Sequence, residues 1–281
     1  MEWIYIVILW VIVLLIVIWM IWRFVIEAYP ARMMGWLYTD KGVSPPFKVI
    51  EQHNRHPDIT GILATSLYGN WTSARFQHKY YGKLLKNVAF LREMEWGKKW
   101  RYRVYLASNL KDKCLQPLLD QDVEVFIIDQ TSLNPDESVN RNGSMWRFLA
   151  GQDDKPYIIV DADEYDLLNR LNTKEIDQWL KSDQMFYQNA LYCINLLIPI
   201  SCCCWGGKPR SLPQIDQWMN GLDHTWYGAD EAFLTKIVPH FTQYGLYRVT
   251  NSVEMMTLGL ALLCFGVGIL AIIYWFLLIG R

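Results

Sequence analysis

The chain is apolar at both ends and mixed in between. Ile4 to Trp22 runs without a charge, and so does Met255 to Gly280. Wound as a helix, each is long enough to cross about 30 Å of hydrocarbon. Between them the period shortens. Ile62–Leu67, Val123–Ile128 and Tyr157–Val160 are short apolar runs, and Arg101–Ala107 alternates basic or polar residues with Tyr102, Val104 and Leu106, which together predicts four strands. Phe76 to Gly97 predicts a helix, with Tyr80, Leu84, Leu85, Val88 and Leu91 near a 3.6-residue period and Gly97 as its C-cap. Shorter helices are predicted over Leu110–Leu119 and Ser144–Gly151, and another from a Thr173 cap to about Ser182. Leu191–Cys204 reads as a buried strand, Trp205–Lys208 as a tight turn, and Pro213–Gly221 and Ala229–Val238 as helices. Residues 29–60 have no clean period and read as a connector.

Strands and helices alternate from 62 to 164, the pattern of a mixed, largely parallel α/β sheet flanked by helices. The organisation expected is a membrane helix over 1–28, the connector over 29–60, a globular domain over 61–248 and a second membrane helix over 254–280. Arg23, Arg32 and Lys41 follow the first run, while Lys236 and Arg248 precede the second. That bias predicts an integral membrane protein of two spans, its domain on the cytoplasmic side and in contact with the lipid bilayer. Were the domain luminal instead, Asn70-Trp71-Thr72 and Asn142-Gly143-Ser144 would be glycosylation acceptors.

Formal net charge is −1, so nothing marks the chain as a nucleic-acid binder. Six cysteines, three of them consecutive at Cys202–Cys204, form no C-x-x-C pair and no Cys/His spacing typical of zinc.

The candidate chemistry lies at Asp161-Ala162-Asp163, which closes the Tyr157–Val160 run. On a continuing strand both carboxylates would face the same side. Two carboxylates at the end of a buried strand need compensation, and a divalent cation with hard oxygen ligands supplies it. A solvated acidic loop is the plainer reading of a bare D-x-D. In parallel α/β sheets ligands bind beyond the carboxyl ends of the strands, where Tyr68-Gly69 also falls.

Several short motifs, in order, resemble those of glycosyltransferases of the GT-A (Rossmann-like) fold. They are Ser66-Leu67-Tyr68-Gly69, Tyr80 to Gly82 with Asn87, Trp100 to Tyr105, Trp146 to Leu149, Asp161-Ala162-Asp163, Trp179-Leu180, Trp205-Gly206-Gly207 and Tyr227 to Leu234. Together they cover roughly residues 60 to 241. The resemblance implies a nucleotide-sugar donor, a Mn²⁺ or Mg²⁺ ion held by Asp161 and Asp163, and transfer of the sugar to an acceptor hydroxyl. It also implies a donor site built from Ser66, Tyr68, Gly69, Arg147, Asp161, Gly206 and Gly207, the two glycines letting backbone approach the sugar. Asp230 or Glu231 would contact the acceptor or act as its general base. The competing reading for both is acidic charge at a helix start, complementing the dipole. His240 would be a further metal ligand, or simply a surface or core histidine.

Val160 stands where such enzymes often have Arg, and Glu164 where they often have Ser. Two functions therefore follow from the sequence. One is a metal-dependent, membrane-anchored glycosyltransferase whose acceptor is a lipid or glycan at the membrane surface. The other is a catalytically inactive relative serving as a subunit of a larger membrane complex.

Overall fold

The computed structural model describes residues 10–16, 48–129, 143–163, 171–189, 204–219, 230, 233–234, 237 and 243–249. Among these, eight strands form one sheet. They are β1 (Val49–His53), β2 (Gly61–Leu67), β3 (Trp100–Ala107), β4 (Glu124–Ile128), β5 (Tyr157–Ile159), β6 (Phe186–Asn189), β7 (Trp205–Gly207) and β8 (Leu246–Val249), in the order β1-β4-β3-β2-β5-β7-β6-β8. β4, β3, β2 and β5 are mutually parallel. β1 runs antiparallel to β4, β7 antiparallel to both β5 and β6, and β8 parallel to β6. The architecture is a mixed α/β fold around a largely parallel sheet. β2, first of the parallel four in sequence, lies between β3 and β5, so the chain reverses its direction of travel across the sheet at the β2–β5 pair.

Burial explains the strands. All seven residues of β2 are buried, as are all five of β4, and so continuous apolar runs rather than alternating ones mark this interior sheet. α1 (Gly82–Glu93) places Leu84, Val88 and Leu91 on one buried face. α2 (Lys111–Leu119) buries Cys114 and Leu118, and α4 (Thr173–Lys181) buries Ile176 and Trp179. α3 (Gly143–Trp146) continues as a 3₁₀ segment, Arg147–Gln152, and α5 spans Ile215–Met219. Trp100, Trp146, Trp179 and Trp205 are all fully buried.

Several elements differ from expectation. The connector's last part is β1, an edge strand whose residues alternate between half-buried and exposed. One wet face and a register irregularity between Val49 and Glu51 mask its period. The long helix is broken into a π-helical segment, Phe76–Tyr81, then α1, which ends at Glu93 with Met94 extended. Gly97 is therefore no C-cap; it sits in a 3₁₀ turn where a Cβ would collide with the Leu91 carbonyl. Asn172, left-handed at φ 45°, precedes α4, so Thr173 is its first residue rather than its cap. Trp205–Gly207 is strand β7, not a tight turn. The strand expected over Leu191–Cys204 lies outside the described residues except for Cys204.

The expectation of an integral membrane protein with two spans and a cytoplasmic domain is corrected. Among the described residues no helix is long and apolar enough to cross a membrane. Of the first apolar run, residues 10–16 are described and helical. Met255–Gly280 lies outside the described residues.

Candidate functional site

The β2–β5 pair brings the two candidate strand ends together. Ala64 pairs with Ile159, and the Val160 amide donates to the Ala64 carbonyl at 3.0 Å. The carboxyl ends of β2 and β5 therefore lie side by side. This is the switch point of the parallel strands, where the carboxyl ends of neighbours diverge and leave a crevice.

Arg147 fills that position. Its backbone N–H donates to the Ser66 hydroxyl at 2.9 Å, so the loop after α3 is fastened to the end of β2. Its guanidinium then reaches across to the end of β5. Nη1 pairs with Asp161 Oδ1 and donates to the Val160 carbonyl at 3.3 Å. Nη2 lies 3.3 Å from Asp230 Oδ2. The Arg147 side chain is only 6% exposed, while those of Asp161 and Asp230 are 33% and 14% exposed. One buried cation therefore joins three separate parts of the chain. A buried charge needs partners of this kind, since leaving it alone would cost several kcal/mol.

Tyr68 borders the same crevice. Its ring meets Trp146 edge-on at 6.0 Å and leans on Gly143, where any Cβ would overlap the ring's inner atoms. Burial first, and the Asp230 carboxylate second, push the Tyr68 phenol well above its usual range, so it keeps its proton. Gly69 adopts φ +133°, a backbone conformation that L side chains rarely adopt, and its carbonyl accepts from the Asn109 side chain at 3.1 Å. Phe148, in the 3₁₀ segment that carries Arg147, stacks on Phe233 at 5.8 Å.

Asp163 does not share the Asp161 environment. β5 ends at Ile159, and residues 162–163 are in a turn. The alternation that would align the two carboxylates is lost there, and they go to different cations. Lys79 Nζ lies 2.9 Å from Asp163 Oδ2 and sits over the Tyr80 ring at 5.1 Å. The hydrogen bond to Asp163 raises the Lys79 pKa. Lys79 comes from the π-helical segment, a geometry that tends to re-aim side chains near functional sites.

Gly206 and Gly207 are not brought into this crevice. β7 runs antiparallel to β5, with Trp205 opposite Ile159, Gly206 opposite Ile158 and Gly207 opposite Tyr157. Each step along β7 thus leads away from Asp161. A Cβ on Gly206 would overlap the Tyr157 carbonyl, and one on Gly207 the Ser211 hydroxyl. Close packing against β5 at Gly206, and against Ser211 and the Tyr157 ring at Gly207, leaves no room for a Cβ at either position. Glu231 and His240 lie outside the described residues.

Sequence reasoning missed Lys79 and Gly143. Lys79 stands next to the Tyr80 motif, but a regular helix would have given no reason to aim it at Asp163. Gly143 was read only within a glycosylation triplet; its position four residues before Arg147 was the available signal.

Among the described residues no group of three or more His, Cys, Asp or Glu side chains is placed to hold a metal ion. Asp161 and Asp163 are of the ligand type that a hard divalent cation takes, but each is already ion-paired, the first with Arg147 and the second with Lys79.

No protein-family model matches the chain, and no curated protein does. Neither comparison therefore returns the glycosyltransferase family that the motifs resemble. Among solved structures, one with detectable likeness is a cytidylyltransferase from Leptospira borgpetersenii serovar Hardjo-bovis (strain JB197). It is 11% identical, the match covers 70% of this chain and 77% of that chain, and the TM-score is 0.40.

Proposed function

We propose that this chain is a transferase acting on a nucleotide-activated substrate, a nucleotide-sugar whose sugar passes to an acceptor hydroxyl. The observation that carries the reading is the meeting of Ser66, Asp161 and Asp230 on the buried Arg147 at the switch point of the parallel strands. Parallel α/β sheets bind ligands at that point because strand ends part there and leave backbone groups and side chains facing one crevice. Arg147 supplies the planar, always-charged fork that suits a phosphate. Tyr68 offers a phenolic proton and a ring edge next to it. Asp230 meets the same guanidinium from a distant part of the chain and is the carboxylate this reading gives to the acceptor.

Asp161 and Asp163 would hold Mn²⁺ or Mg²⁺. When bound, such an ion supplies Lewis-acid stabilisation of charge developing on the departing nucleotide diphosphate. The chain's own residues bind and orient: Arg147 fixes the Asp161 carboxylate, Ser66 fixes the Arg147 backbone, and Gly143 fixes the Tyr68 ring. Gly206 and Gly207 have no part in this reading.

The test is titration calorimetry with UDP and GDP, with and without Mn²⁺, on the wild type and on Asp161→Ala/Asp163→Ala. Nucleotide binding that the double variant loses supports the reading and chooses the base for donor screening. Absence of binding by either nucleotide, under any of these conditions, overturns it.

A further inference from the structure

Tyr68 carries a hydroxyl that the protein itself does not use. Its ring is fixed at two points on α3, edge-on to Trp146 at 6.0 Å and against Gly143, where a Cβ would overlap the ring. Among the described residues no group gives or takes a hydrogen bond at the phenol oxygen, and that oxygen is not sealed in the interior. A tyrosine placed this deeply usually finds a partner for its O–H, because the ring is apolar and the hydroxyl is not. Here the ring is held and the O–H is left uncommitted.

The position of that O–H follows from its neighbours. The residue after Trp146 is Arg147, whose backbone N–H is fastened to Ser66, two residues before Tyr68. The phenol therefore lies close to the guanidinium. Among the charges that act on it, Asp230 comes first, then Arg147, and Asp161 is weaker. Burial and Asp230 keep the phenol protonated, so it can donate. Arg147 already meets two carboxylates, and both oppose a phosphate arriving at it. A neutral O–H beside the guanidinium gives such a phosphate a further hydrogen bond. The same O–H is poorly suited to the attacking acceptor oxygen, since a hydrogen bond given there draws on the lone pair that must attack. Given to the departing phosphate oxygen, it stabilises charge that develops as the bond breaks.

We propose that Tyr68 gives its hydrogen bond to the sugar-linked phosphate, the second from the nucleoside, and so makes the site selective for nucleoside diphosphates over monophosphates. This rests on the nucleotide-sugar reading above, in which Asp230 serves the acceptor: the phosphate nearest the acceptor is the one that carries the sugar. In the transfer, the bond from the anomeric carbon to the phosphate oxygen breaks and its electron pair goes to that oxygen. The acceptor oxygen bonds to the same carbon, and its proton passes to Asp230. Tyr68 keeps its own proton and shares it with the departing diphosphate.

Tyr68→Phe removes the O–H and keeps the ring against Gly143 and Trp146. Because no described group bonds that hydroxyl, the urea-denaturation midpoint of the variant stays that of wild type. Titration calorimetry with UDP, UMP, GDP and GMP, in one Mn²⁺-containing buffer, reads the role. The diphosphate that binds wild type is expected to bind Tyr68→Phe about tenfold more weakly, the scale of one hydrogen bond to a charged group, while the matching monophosphate binds both proteins equally. Equal diphosphate affinity in the two proteins overturns the proposal. An equal loss for monophosphate and diphosphate overturns it too, by placing the hydroxyl at the nucleoside or first phosphate. A clearly lowered denaturation midpoint also overturns it, by showing that the hydroxyl serves the fold. In each of these cases nucleotide binding by wild type leaves the transferase reading standing. Failure of wild type to bind any of the four nucleotides overturns both.

Discussion

Replacing Arg103 with Met removes the cation from a second buried network, on β3 and away from the crevice. Arg103 is 2% exposed and pairs with Glu124, 1% exposed, through Nη2 at 2.6 Å and Nε at 2.7 Å. Its Nη1 holds Asp153, and its guanidinium lies 4.4 Å from the Phe126 ring centroid. After substitution Asp153 keeps Arg55 at 3.3 Å and the Lys155 amide at 3.1 Å. Glu124 keeps the His56 amide at 2.9 Å but has lost the guanidinium that held it. Removing one partner of a buried pair costs about 3–5 kcal/mol, a large share of the roughly 5–15 kcal/mol that holds a domain folded. The loss is expected to depend on pH. In wild type, burial alone would raise the Asp153 pKa; Arg103, with Asp154 and Arg55, outweighs burial and holds it below its ordinary value of 3.8. That contribution is present above the unfolded-state value and disappears only as pH falls through the lower, folded value. In Arg103→Met the sign reverses. Asp153 loses its largest lowering partner while its burial stays, so its charged form is less favoured and the penalty, full near neutrality, shrinks as pH falls toward about 5. Urea denaturation at both pH values, followed by tryptophan fluorescence, measures the difference. Arg103→Met/Glu124→Leu, which removes both charges, is expected to recover most of the loss. A single variant within about 1 kcal/mol of wild type at neutral pH would refute the reasoning, because a pair worth that little behaves as a solvated one.

The remaining predictions concern close contacts. Gly143→Ala forces a Cβ into the Tyr68 ring and is expected to lower stability by about 1–3 kcal/mol and to weaken nucleotide binding as well, read by denaturation and calorimetry together. Gly206→Ala meets the Tyr157 carbonyl, which cannot swing away, and is expected to destabilise by a similar amount or more of about 1–3 kcal/mol, with nucleotide affinity per folded molecule unchanged. Weakened affinity in that variant would return Gly206 to the site. Ser66→Ala deletes the acceptor of the Arg147 amide and is expected to cost about 1–3 kcal/mol and to reduce nucleotide affinity; unchanged values of both would show that Ser66 does not position Arg147.

The sequence by itself determined the elements that are buried on both faces. β2, β4 and β5 were legible as short, mainly apolar runs, and β3 as an alternation of basic or polar residues with Tyr102, Val104 and Leu106; the helix stripes on Leu84, Val88 and Leu91 and on Ile176 and Trp179 were legible because one buried face repeats about every 3.6 residues. The edge strand β1 and the short strands β6, β7 and β8 were not, because their places are set by pairing with distant strands rather than by their own pattern. For the site, the D-x-D pair, Ser66, Tyr68 and Arg147 could be named as residues. Only the tertiary structure decided how they divide. The end of β5 at Ile159 separates Asp161 from Asp163, Arg147 takes the first together with Asp230, and Lys79 takes the second. The antiparallel course of β7 removes Gly206 and Gly207. Residue type fixes which charges a chain carries; which charges meet depends on strand order and register, and those are settled by contacts between segments far apart in the sequence.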